Sequence, residues 1–511
     1  MIDCILVLDF GGQYCHLIAR KIRELGVYSE IVHPEITVNE IEEYKKRYDV
    51  KGIIISGGPR SVYRDDLKFD RNILNLGIPI LGICYGHQLL AYISGGKVGP
   101  GKRKEFGITR AYIDKPEKIL RGLNKEEEVW MSHSDIVVEL PQEYEILAHT
   151  KNTEIAAFMH KEGKIYGVQW HPEVIHTKNG KKIFENFIFE ICNCKQNWRI
   201  KDFIEETVRE LRNGIGGEKA IIALSGGVDS STAAILTYKA IGKNLYAIFV
   251  DTGLMRKNEP ELIRKIFTEK FDINFIFVDA RDEFFRALRG IKDPEEKRRI
   301  IGEKFIRIFE REAKRIKAKF LVQGTIYPDR IESGIRIADK IKSHHNVGGL
   351  PHDLKLDLVE PLQDLYKDEV REVAKKLGLP DEIVYRHPFP GPGLAIRIVG
   401  EVTPESVEIV REANAIVEEE IKRANLYMDV WQCFAVLLPV RSVGVQGDVR
   451  TYKRTIAIRI VQSQDGMTAN FARIPYDVLE RISTRITNEI SQVNRVVYDI
   501  THKPPATIEW E

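Results

Sequence analysis

The sequence predicts an α/β protein in which two domains with parallel sheets precede a small α+β domain. Two observations indicate this: short apolar runs alternate with amphipathic stretches from residue 4 onward, and the alternation starts again near residue 220. Such alternation is typical of buried parallel strands joined by helices. A cluster of prolines and glycines at 386–393 cannot continue a helix or strand and ends the second series. We expect domains at 1–195, 196–386 and 387–511.

Buried strands are predicted where apolar runs are short and uninterrupted, and helices where the intervals have crossover length. A polar stretch at 193–197 follows a helical run at 181–191 and separates the first two domains. The strands are expected at 5–10, 52–56, 78–83 and 166–170 in the first domain, and at 220–224, 245–250, 274–278 and 320–323 in the second.

The third domain begins with Thr403 and Pro404, the pattern of an N-cap residue followed by proline at the first helical position. A helix is therefore expected from 404 to about 424, and another at 476–490. Between them, isoleucines alternate with other residues at 456–460, which predicts a strand buried on one face only. Its other face or its edge fits either a subunit interface or a self-sufficient domain.

The composition is that of a globular protein of the reducing cytoplasm. The 511 residues are 43% apolar and 30% charged, and a net charge of +2 gives no chain-wide signal for a nucleic-acid or membrane partner. We expect neither, since no apolar stretch is long enough to span a bilayer and the first residues lack a signal-peptide pattern. The six cysteines are few and irregularly spaced. Cys192 and Cys194 lack a second C-x-C pair, which favours a structural pair over a zinc site.

Cys84 lies between two glycines where a predicted strand runs into a predicted helix. Gly82 and Gly86 would allow the tight turn of a nucleophile elbow, which exposes the thiol at a helix N-terminus. The helix dipole there favours the thiolate, the form that attacks. A cysteine chosen at random is more often a buried structural residue, so a catalytic role requires a base nearby.

His171 and Glu173 are candidates for that base and its partner. They follow a predicted strand, and positions i and i+2 of an extended segment point the same way, so Glu173 can orient His171 while His171 accepts the thiol proton. The oxyanion of an acyl-transfer intermediate needs backbone donors. The amides of Gly58 and Tyr85 are candidates for this role.

These segments resemble, in order, the signature motifs of class I glutamine amidotransferases. The motifs are Leu-Asp-Phe-Gly-Gly-Gln-Tyr (8–14), Ser-Gly-Gly-Pro (56–59), Gly-Ile-Cys-Tyr-Gly-His-Gln (82–88) and Gln-Trp-His-Pro-Glu (169–173). The resemblance covers the chain to about residue 190. It implies that Cys84, His171 and Glu173 hydrolyse glutamine to glutamate and ammonia through a thioester.

A second site is predicted where a buried strand ends in Ser-Gly-Gly-Val-Asp-Ser-Ser (225–231). Glycine amides and a helix N-terminus favour phosphate, and the serine hydroxyls add donors. Asp229 has the wrong charge for phosphate unless it holds Mg²⁺, so we expect it to be a magnesium ligand. The sequence contains neither a Walker-type lysine motif nor a dinucleotide fingerprint.

This loop resembles that of the N-type ATP pyrophosphatases, which split ATP between the α- and β-phosphates and attach AMP to a carbonyl oxygen. The resemblance implies a second domain of the adenine-nucleotide α-hydrolase type. It places Val250, at the carboxyl edge of the next strand, beside adenosine. The implied ATP-binding residues are Ser225, Gly226, Gly227, Val228, Asp229, Ser230, Ser231 and Val250.

The two predicted activities are complementary, because one domain would make ammonia and the other would activate a carbonyl carbon. Ammonia is mostly protonated at neutral pH, so joining the sites would protect its reactive form. Segments 341–351, 360–362 with 367–371, 386–395 and 503–511 resemble the glutamine-hydrolysing GMP synthetase family. That resemblance covers essentially the whole chain. It implies XMP as the acceptor, with GMP, AMP, pyrophosphate and glutamate as products.

The same resemblance implies the residues that bind XMP. Lys503 and Arg495 would bind its phosphate, because cations pair with phosphate by charge-assisted hydrogen bonds. Glu509 would accept hydrogen bonds from purine N–H groups, and Gln432 would contact the nucleotide. The C-terminal domain is expected to form a homodimer.

A lid is implied around residues 342–349, where Lys342, His344 and His345 would close over the triphosphate. For the two histidines, a solvated pair and an adventitious metal site are alternatives. Three other functions remain open: an amidotransferase with another acceptor, a nucleotide-binding regulator with inactive sites, and an RNA-modifying ATP pyrophosphatase. The motif at 503–511 argues against another acceptor, and the complete set of Cys84, His171, Glu173 and Asp229 argues against an inactive regulator. The charge balance argues against an RNA-modifying enzyme.

Overall fold

The computed structural model describes residues 1–66, 68–333, 341–342, 356–463, 466 and 468–511. The chain divides into two compact units. The first comprises Met1–Phe203 and a short segment that begins at Arg330, and the second contains Ile204–Asp329 and the C-terminal part of the chain.

The first unit is built on a nine-stranded sheet. Its strands are β1 (Ile2–Leu8), β2 (Tyr28–Val32), β3 (Tyr48–Ile55), β4 (Ile80–Ile83), β5 (Lys97–Ile113), β6 (Glu126–Glu139), β7 (Tyr144–Thr150), β8 (Ala157–His160) and β9 (Ile165–Val168). Its helices are α1 (Cys15–Glu24), α2 (Val38–Lys45), α3 (Tyr85–Ile93) and α4 (Gly180–Glu185), followed by a π-helical segment at Asn186–Ile191.

The strand order in this sheet is β2-β1-β3-β4-β9-β8-β7-β5-β6. Pairing is parallel from β2 to β9 and antiparallel beyond β9. The central strands are buried on both faces, which explains why they form apolar runs. Helix α3 packs on them with Leu89 and Leu90 in the core. The prediction of a parallel sheet is therefore confirmed for this half of the strands. The antiparallel half was not predicted.

The second unit contains a six-stranded sheet and, further along the chain, a smaller one. The strands of the six-stranded sheet are β10 (Ala220–Ala223), β11 (Leu245–Asp251), β12 (Asn274–Asp279), β13 (Phe320–Val322), β14 (Ile341–Lys342) and β15 (Asp357–Val359). The helices of this part of the chain are α5 (Ile200–Ile215), α6 (Val228–Ile241), α7 (Glu259–Lys265), α8 (Arg281–Ala287), α9 (Pro294–Ile316), α10 (Tyr327–Glu332), α11 (Lys367–Lys376) and α12 (Asp381–Val384). The order is β12-β11-β10-β13-β15-β14, and only the β14–β15 pair is antiparallel.

The smaller sheet consists of β16 (Gln432–Gln446), β17 (Val449–Gln462), β18 (Asn470–Phe471) and β19 (Val493–Tyr498), with α13 (Pro404–Arg423) and α14 (Tyr476–Glu489) packed on it. The predicted start of α13 is confirmed, since the Thr403 side chain accepts a hydrogen bond from the Ser406 N–H and Pro404 follows the cap.

The prediction that residues 456–460 form a half-buried strand is wrong, because both faces of β17 are covered there. The isoleucines pack against α13 and α14. On the opposite face, Ala457 packs with Phe434 and Val436, and Ile508 of the C-terminal segment covers them. Arg459 on this face is fully buried and donates to the backbone carbonyls of Thr501, Thr507 and Ile508.

The predicted fold class is confirmed: two α/β portions with parallel strands precede a small α+β portion. The first unit runs to Phe203, and the six-stranded and the small sheet belong to one compact unit. The bounds of all three predicted domains therefore stay a prediction. None of the described helices combines the length and the apolar character needed to cross a membrane.

Candidate active sites

Cys84 lies at the junction of β4 and α3, in the N-cap position of the helix. Its φ of 53° is in the left-handed region, which costs a residue with a Cβ atom about 1–2 kcal/mol. Neither neighbouring glycine has a positive φ. A Cβ atom on Gly82 would lie 2.3 Å from the Gly86 oxygen, and one on Gly86 would lie 2.3 Å from the Ile55 oxygen. Close backbone approach therefore requires the glycines, and the strained conformation belongs to the cysteine.

The Cys84 thiol is buried, with only 6% of the residue exposed, so the prediction of an exposed thiol is wrong. Its Sγ atom lies 3.7 Å from the carbonyl oxygen of Ser132 on β6. On another side, a Cβ atom added to Gly57 would lie 3.0 Å from Cε1 of His171 and 3.7 Å from Cβ of Cys84. Gly57 therefore has no room for a side chain, because Cys84 and His171 occupy the space.

His171 and Glu173 lie on a turn beyond β9, which ends at Val168. The alternation of an extended strand therefore does not align them, yet Nδ1 of His171 lies 2.7 Å from Oε1 of Glu173. Thr177 holds the turn, since its hydroxyl donates to the His171 carbonyl at 2.6 Å and accepts from the Trp130 N–H at 3.0 Å. The turn places His171 between Glu173 and Cys84.

The charges around His171 favour its protonated form. Burial alone lowers the pKa of a histidine, but the negative charges of Glu173 and Cys84 outweigh it and raise the pKa of His171 well above its ordinary value. Glu173 also hydrogen-bonds to the imidazole, at 2.7 Å. This arrangement suits a pair in which the histidine holds the thiol proton.

The two predicted oxyanion donors both lie beside Phe10. A Cβ atom on Gly58 would lie 2.6 Å from the Phe10 oxygen, and the Tyr85 ring lies 5.1 Å from the Phe10 ring. Tyr85 is the first residue of α3, so its N–H has no partner within the helix. The oxyanion role of these amides stays a prediction.

In the second unit, the loop after β10 lines a cavity of about 740 Å³. Gly227 is the N-cap residue of α6. Gly226 has a φ of 77°, and a Cβ atom there would lie 2.8 Å from Oε1 of Glu259, so both its conformation and its surroundings require glycine. The predicted ATP-binding residues that line the cavity are Ser225, Gly226, Gly227, Val228 and Asp229.

The other three predicted ATP-binding residues do not line this cavity. Ser230 supports the loop, with its hydroxyl 3.0 Å from that of Ser225. Ser231 and Val250 are fully buried, so a ligand in the cavity does not reach their side chains. Thr252, just beyond β11, lines the cavity instead.

Five basic side chains line the same cavity, and they come from distant parts of the chain: Arg256, Arg298, Lys367, Arg371 and Arg386. Lys367 forms an ion pair with Oδ2 of Asp229. Arg386 donates to Glu259 at 2.6 Å and to the Gly226 carbonyl at 3.0 Å. The cavity therefore joins a phosphate-type loop to several cations, which favours a polyphosphate ligand.

Of the predicted XMP residues, Gln432 and Glu509 are in contact. Nε2 of Gln432 donates to Oε1 of Glu509 at 2.8 Å and to the Pro388 carbonyl at 3.0 Å. Pro388 lines the cavity. These two side chains therefore lie close to the cavity wall.

Arg495 and Lys503 are placed elsewhere. Arg495 donates to the Ser442 hydroxyl at 3.0 Å. Ser442 lies ten positions along β16 from Gln432, about 30 Å at the rise of a strand. Lys503 donates to the Gly466 carbonyl at 2.7 Å. Among the described residues, neither cation forms a hydrogen bond or ion pair with Glu509.

The predicted lid falls mostly outside the described residues. Lys342 belongs to β14, and His344 and His345 are not described. Among the residues that the structure does describe, no group of three histidine, cysteine or acidic side chains could hold a metal ion. Cys192 and Cys194 are both buried free cysteines.

Comparisons with known proteins give matches along the whole chain. Three family models match in succession: class-I glutamine amidotransferase at residues 6–191, NAD synthase at 197–317 and the GMP synthase C-terminal domain at 419–510. The whole chain is 56% identical to the glutamine-hydrolysing GMP synthase of Caldicellulosiruptor saccharolyticus, covering 99% of that protein. It is also 54% identical, over 99% of its length, to the enzymes of Thermosynechococcus vestitus and Aquifex aeolicus, covering 96% and 99% of them.

The chain belongs to the family of glutamine-hydrolysing GMP synthases. The resemblance stated from the motifs is thereby confirmed, and with it the classification as a ligase.

Two features of this GMP synthase family member are not predicted by its sequence: the basic side chains that line the cavity, and the arginine that pairs with Glu509. Lys367 and Arg386 stand in motifs that carried the resemblance, but no local pattern assigned them a contact. Arg397 is paired with Glu509 at 2.9 Å. These contacts join segments far apart in the chain, so no single motif reveals them.

Proposed function

We propose that this chain makes GMP from XMP, ATP and glutamine, with AMP, pyrophosphate and glutamate as the other products. Glutamine-dependent GMP synthesis is the activity of its family. One observation carries the assignment of chemistry to sites: a Cys84–His171–Glu173 arrangement occurs in one unit, and a phosphate-type loop lines a large cavity in the other. The first suits acyl transfer and the second suits nucleotide activation.

In the glutaminase reaction, we propose that the Cys84 thiolate attacks the side-chain carbonyl of glutamine while His171 holds the thiol proton. His171 then gives this proton to the departing ammonia, and a thioester remains on Cys84. Water, deprotonated by His171, hydrolyses the thioester to glutamate. Glu173 keeps the imidazole oriented, and the Gly58 and Tyr85 amides would bind the oxyanion.

In the synthetase reaction, we propose that the 2-oxo oxygen of XMP attacks the α-phosphorus of ATP and pyrophosphate leaves. Ammonia then attacks C2, and AMP leaves to give GMP. The backbone around Gly226 and the side chains of Lys367 and Arg386 would bind the phosphates, since amides and cations stabilise phosphoryl charge. The ammonia formed in the first unit is consumed in the second.

We propose that Mg²⁺ accompanies ATP at Asp229. Its Oδ2 pairs with Lys367, while Oδ1 is buried and has no hydrogen-bond partner among the described residues. A single carboxylate beside a phosphate loop fits the way proteins bind Mg²⁺, with substrate phosphates and water as the remaining ligands. Bound there, Mg²⁺ would neutralise charge on the phosphate oxygens during adenylation.

We also propose that the chain acts as a cytoplasmic homodimer through the small sheet. Several apolar side chains of the β16–β17 ribbon are exposed, including Val445 at 72% and Tyr452 at 63%. An exposed cluster of this kind favours a protein interface. All six cysteines are free and buried, which fits a reducing compartment.

The decisive experiment measures pyrophosphate release from Mg·ATP with XMP, IMP, UTP or no acceptor, using ammonium at elevated pH as the nitrogen source. GMP is followed by its absorbance in the same samples. We expect pyrophosphate release only with XMP, and GMP in equal amount. Release without dependence on XMP would contradict the assignment and favour an amidotransferase with a different acceptor.

A further inference from the structure

The carboxylate of Glu509 is held by a buried arginine. Nε and Nη2 of Arg397 donate to Oε2 and Oε1 of Glu509 at 3.1 and 2.9 Å. Such a two-pronged pair fixes the plane of a carboxylate as well as its charge. Gln432 donates to the same Oε1 atom from the other direction. Glu509 is therefore fixed in orientation before any ligand arrives.

Arg397 itself cannot touch a ligand, because only 1% of its side chain is exposed. Its remaining nitrogen, Nη1, donates to Oδ1 of Asn414 at 3.1 Å. The guanidinium lies 4.1 Å from the ring centre of Phe434 and 5.1 Å from that of Phe389, within the range of cation–π contacts. Phe389 also lines the cavity of the second unit.

The backbone that carries Arg397 is equally well fixed. It ends a buried 3₁₀ helix, Gly393–Arg397, whose Leu394 N–H donates to the Leu254 carbonyl at 2.8 Å. The ammonium of Lys297, also fully buried, donates to the Ile398 carbonyl at 2.7 Å. Burying two cations is costly unless each is paired, and these pairings hold the segment in place beside the cavity.

We propose that Arg397 is a positioning residue that determines recognition of the purine. It aims the free lone pairs of the Glu509 carboxylate at the ring N–H groups of the acceptor. The inference rests on the proposed function through the role of Glu509. A carboxylate fixed in this way accepts hydrogen bonds only, so it favours a purine that presents N–H donors over one that presents an acceptor at the same edge.

Arg397→Lys keeps the positive charge and removes the two parallel hydrogen bonds to Glu509. We expect the KM for XMP to rise about tenfold, because hydrogen bonds between charged groups depend strongly on geometry. The KM for ATP and the glutaminase rate should not change. The matched control is Arg485→Lys, which alters another arginine of the second unit that pairs with a buried carboxylate, that of Glu420. It should leave the KM for XMP unaltered.

A double-mutant cycle separates positioning from a purely structural role. If Arg397 acts through Glu509, Arg397→Lys should add nothing to the KM for XMP once Glu509→Gln is present. If the KM for XMP of the double variant instead rises by the product of the two single fold-changes, the proposal is overturned. If Glu509→Gln alone leaves the KM for XMP unchanged, the proposed role of Glu509 fails first. A raised KM in Glu509→Gln with a normal KM in Arg397→Lys refutes only the role of Arg397.

Asn414→Ala provides a second test in case Arg397→Lys folds poorly. It removes the third hydrogen bond of the guanidinium and leaves Glu509 and Gln432 in place. We expect a smaller rise in the KM for XMP, about two- to threefold, with the thermal midpoint shifted by only a few degrees. An unchanged KM for XMP in this variant would contradict the proposal.

Discussion

His171 and Glu173 are joined by a 2.7 Å hydrogen bond between Nδ1 and Oε1, and the Glu173 side chain has no exposed surface. Because Nδ1 is occupied, only the other ring nitrogen, Nε2, is left to accept the thiol proton of Cys84. We therefore expect the Glu173 carboxylate to determine which imidazole nitrogen accepts the thiol proton.

Glu173→Gln should lower the pKa of His171, since it removes the carboxylate charge that raises it. A raised histidine pKa stabilises the fold fully below the pKa of the unfolded chain, about 6.5, and the effect is lost as pH rises through the folded value. The stability gap between the wild type and Glu173→Gln should therefore narrow with rising pH. Urea midpoints of the intact chain, together with NMR titration of the imidazole, would test this. A gap that widens with pH would contradict it.

Cys84→Ala should abolish GMP formation from glutamine, by about 10³-fold or more. Synthesis from ammonium at elevated pH should remain nearly intact, because the alanine lies in the other unit from the nucleotide cavity. Cys192→Ala, a change at another buried cysteine of the first unit, is the control and should affect neither reaction. Loss of both activities in Cys84→Ala would contradict the division of labour.

Gly57→Ala should impair glutamine hydrolysis without removing any catalytic group. The new methyl group would lie 3.0 Å from Cε1 of His171, so the imidazole must shift away from Cys84. We expect a fall in the glutaminase kcat/KM of about 10–100-fold, the cost of a small misplacement. Gly99→Ala is the control, since its methyl group would meet only Val138 at an ordinary 3.8 Å. Equal rates in the two variants would refute the proposed crowding.

Asp229→Ala should reduce XMP-dependent pyrophosphate release by about a hundredfold or more with either nitrogen source, because the proposed magnesium ligand is lost. Basal glutaminase activity should persist. Asp272→Ala removes an exposed carboxylate of the same unit, paired with Lys243, and should have no effect. Normal pyrophosphate release in Asp229→Ala would rule out the proposed metal ligand.

His87 should make the fold sensitive to acid. Burial, aided by the charge of His133, lowers the pKa of His87 to about 3. In the unfolded chain it takes up a proton below about pH 6.5, so stability falls by about 1.4 kcal/mol per pH unit as pH drops through this window. His87→Gln should show a shallower decline in the urea midpoint between pH 6.5 and 4.5. Parallel declines would contradict this origin of the acid sensitivity.

Most of the buried strands could be predicted because an apolar run is a local property. The strand expected at 245–250, for example, is observed at Leu245–Asp251, and the one at 220–224 at Ala220–Ala223. The cap of α13 is also local, since it depends on Thr403 and the three residues that follow. The prediction that Cys84, His171 and Glu173 share one site was possible for the same reason, because each residue lies in a short motif that can be recognised locally.

The remaining features depend on segments that are distant in sequence. Burial of Arg459 follows from the C-terminal segment crossing the sheet, which alternation within β17 cannot reveal. Lys367 reaches Asp229 from beyond β15, and Arg397 reaches Glu509 across more than a hundred positions. The positive φ of Cys84 arises because Gly82 and Gly86 bring two backbones together, a matter of packing and not of glycine preference.

The adjacency of β4 and β9 has a consequence for the newly made chain. Ile83 pairs with Val168, although strands β5 to β8 lie between them in sequence. Pairings between such distant segments form slowly, because a long loop must close first. A chain still emerging from the ribosome therefore has the thiol before it has the base. We therefore expect no glutamine hydrolysis before the sheet is complete.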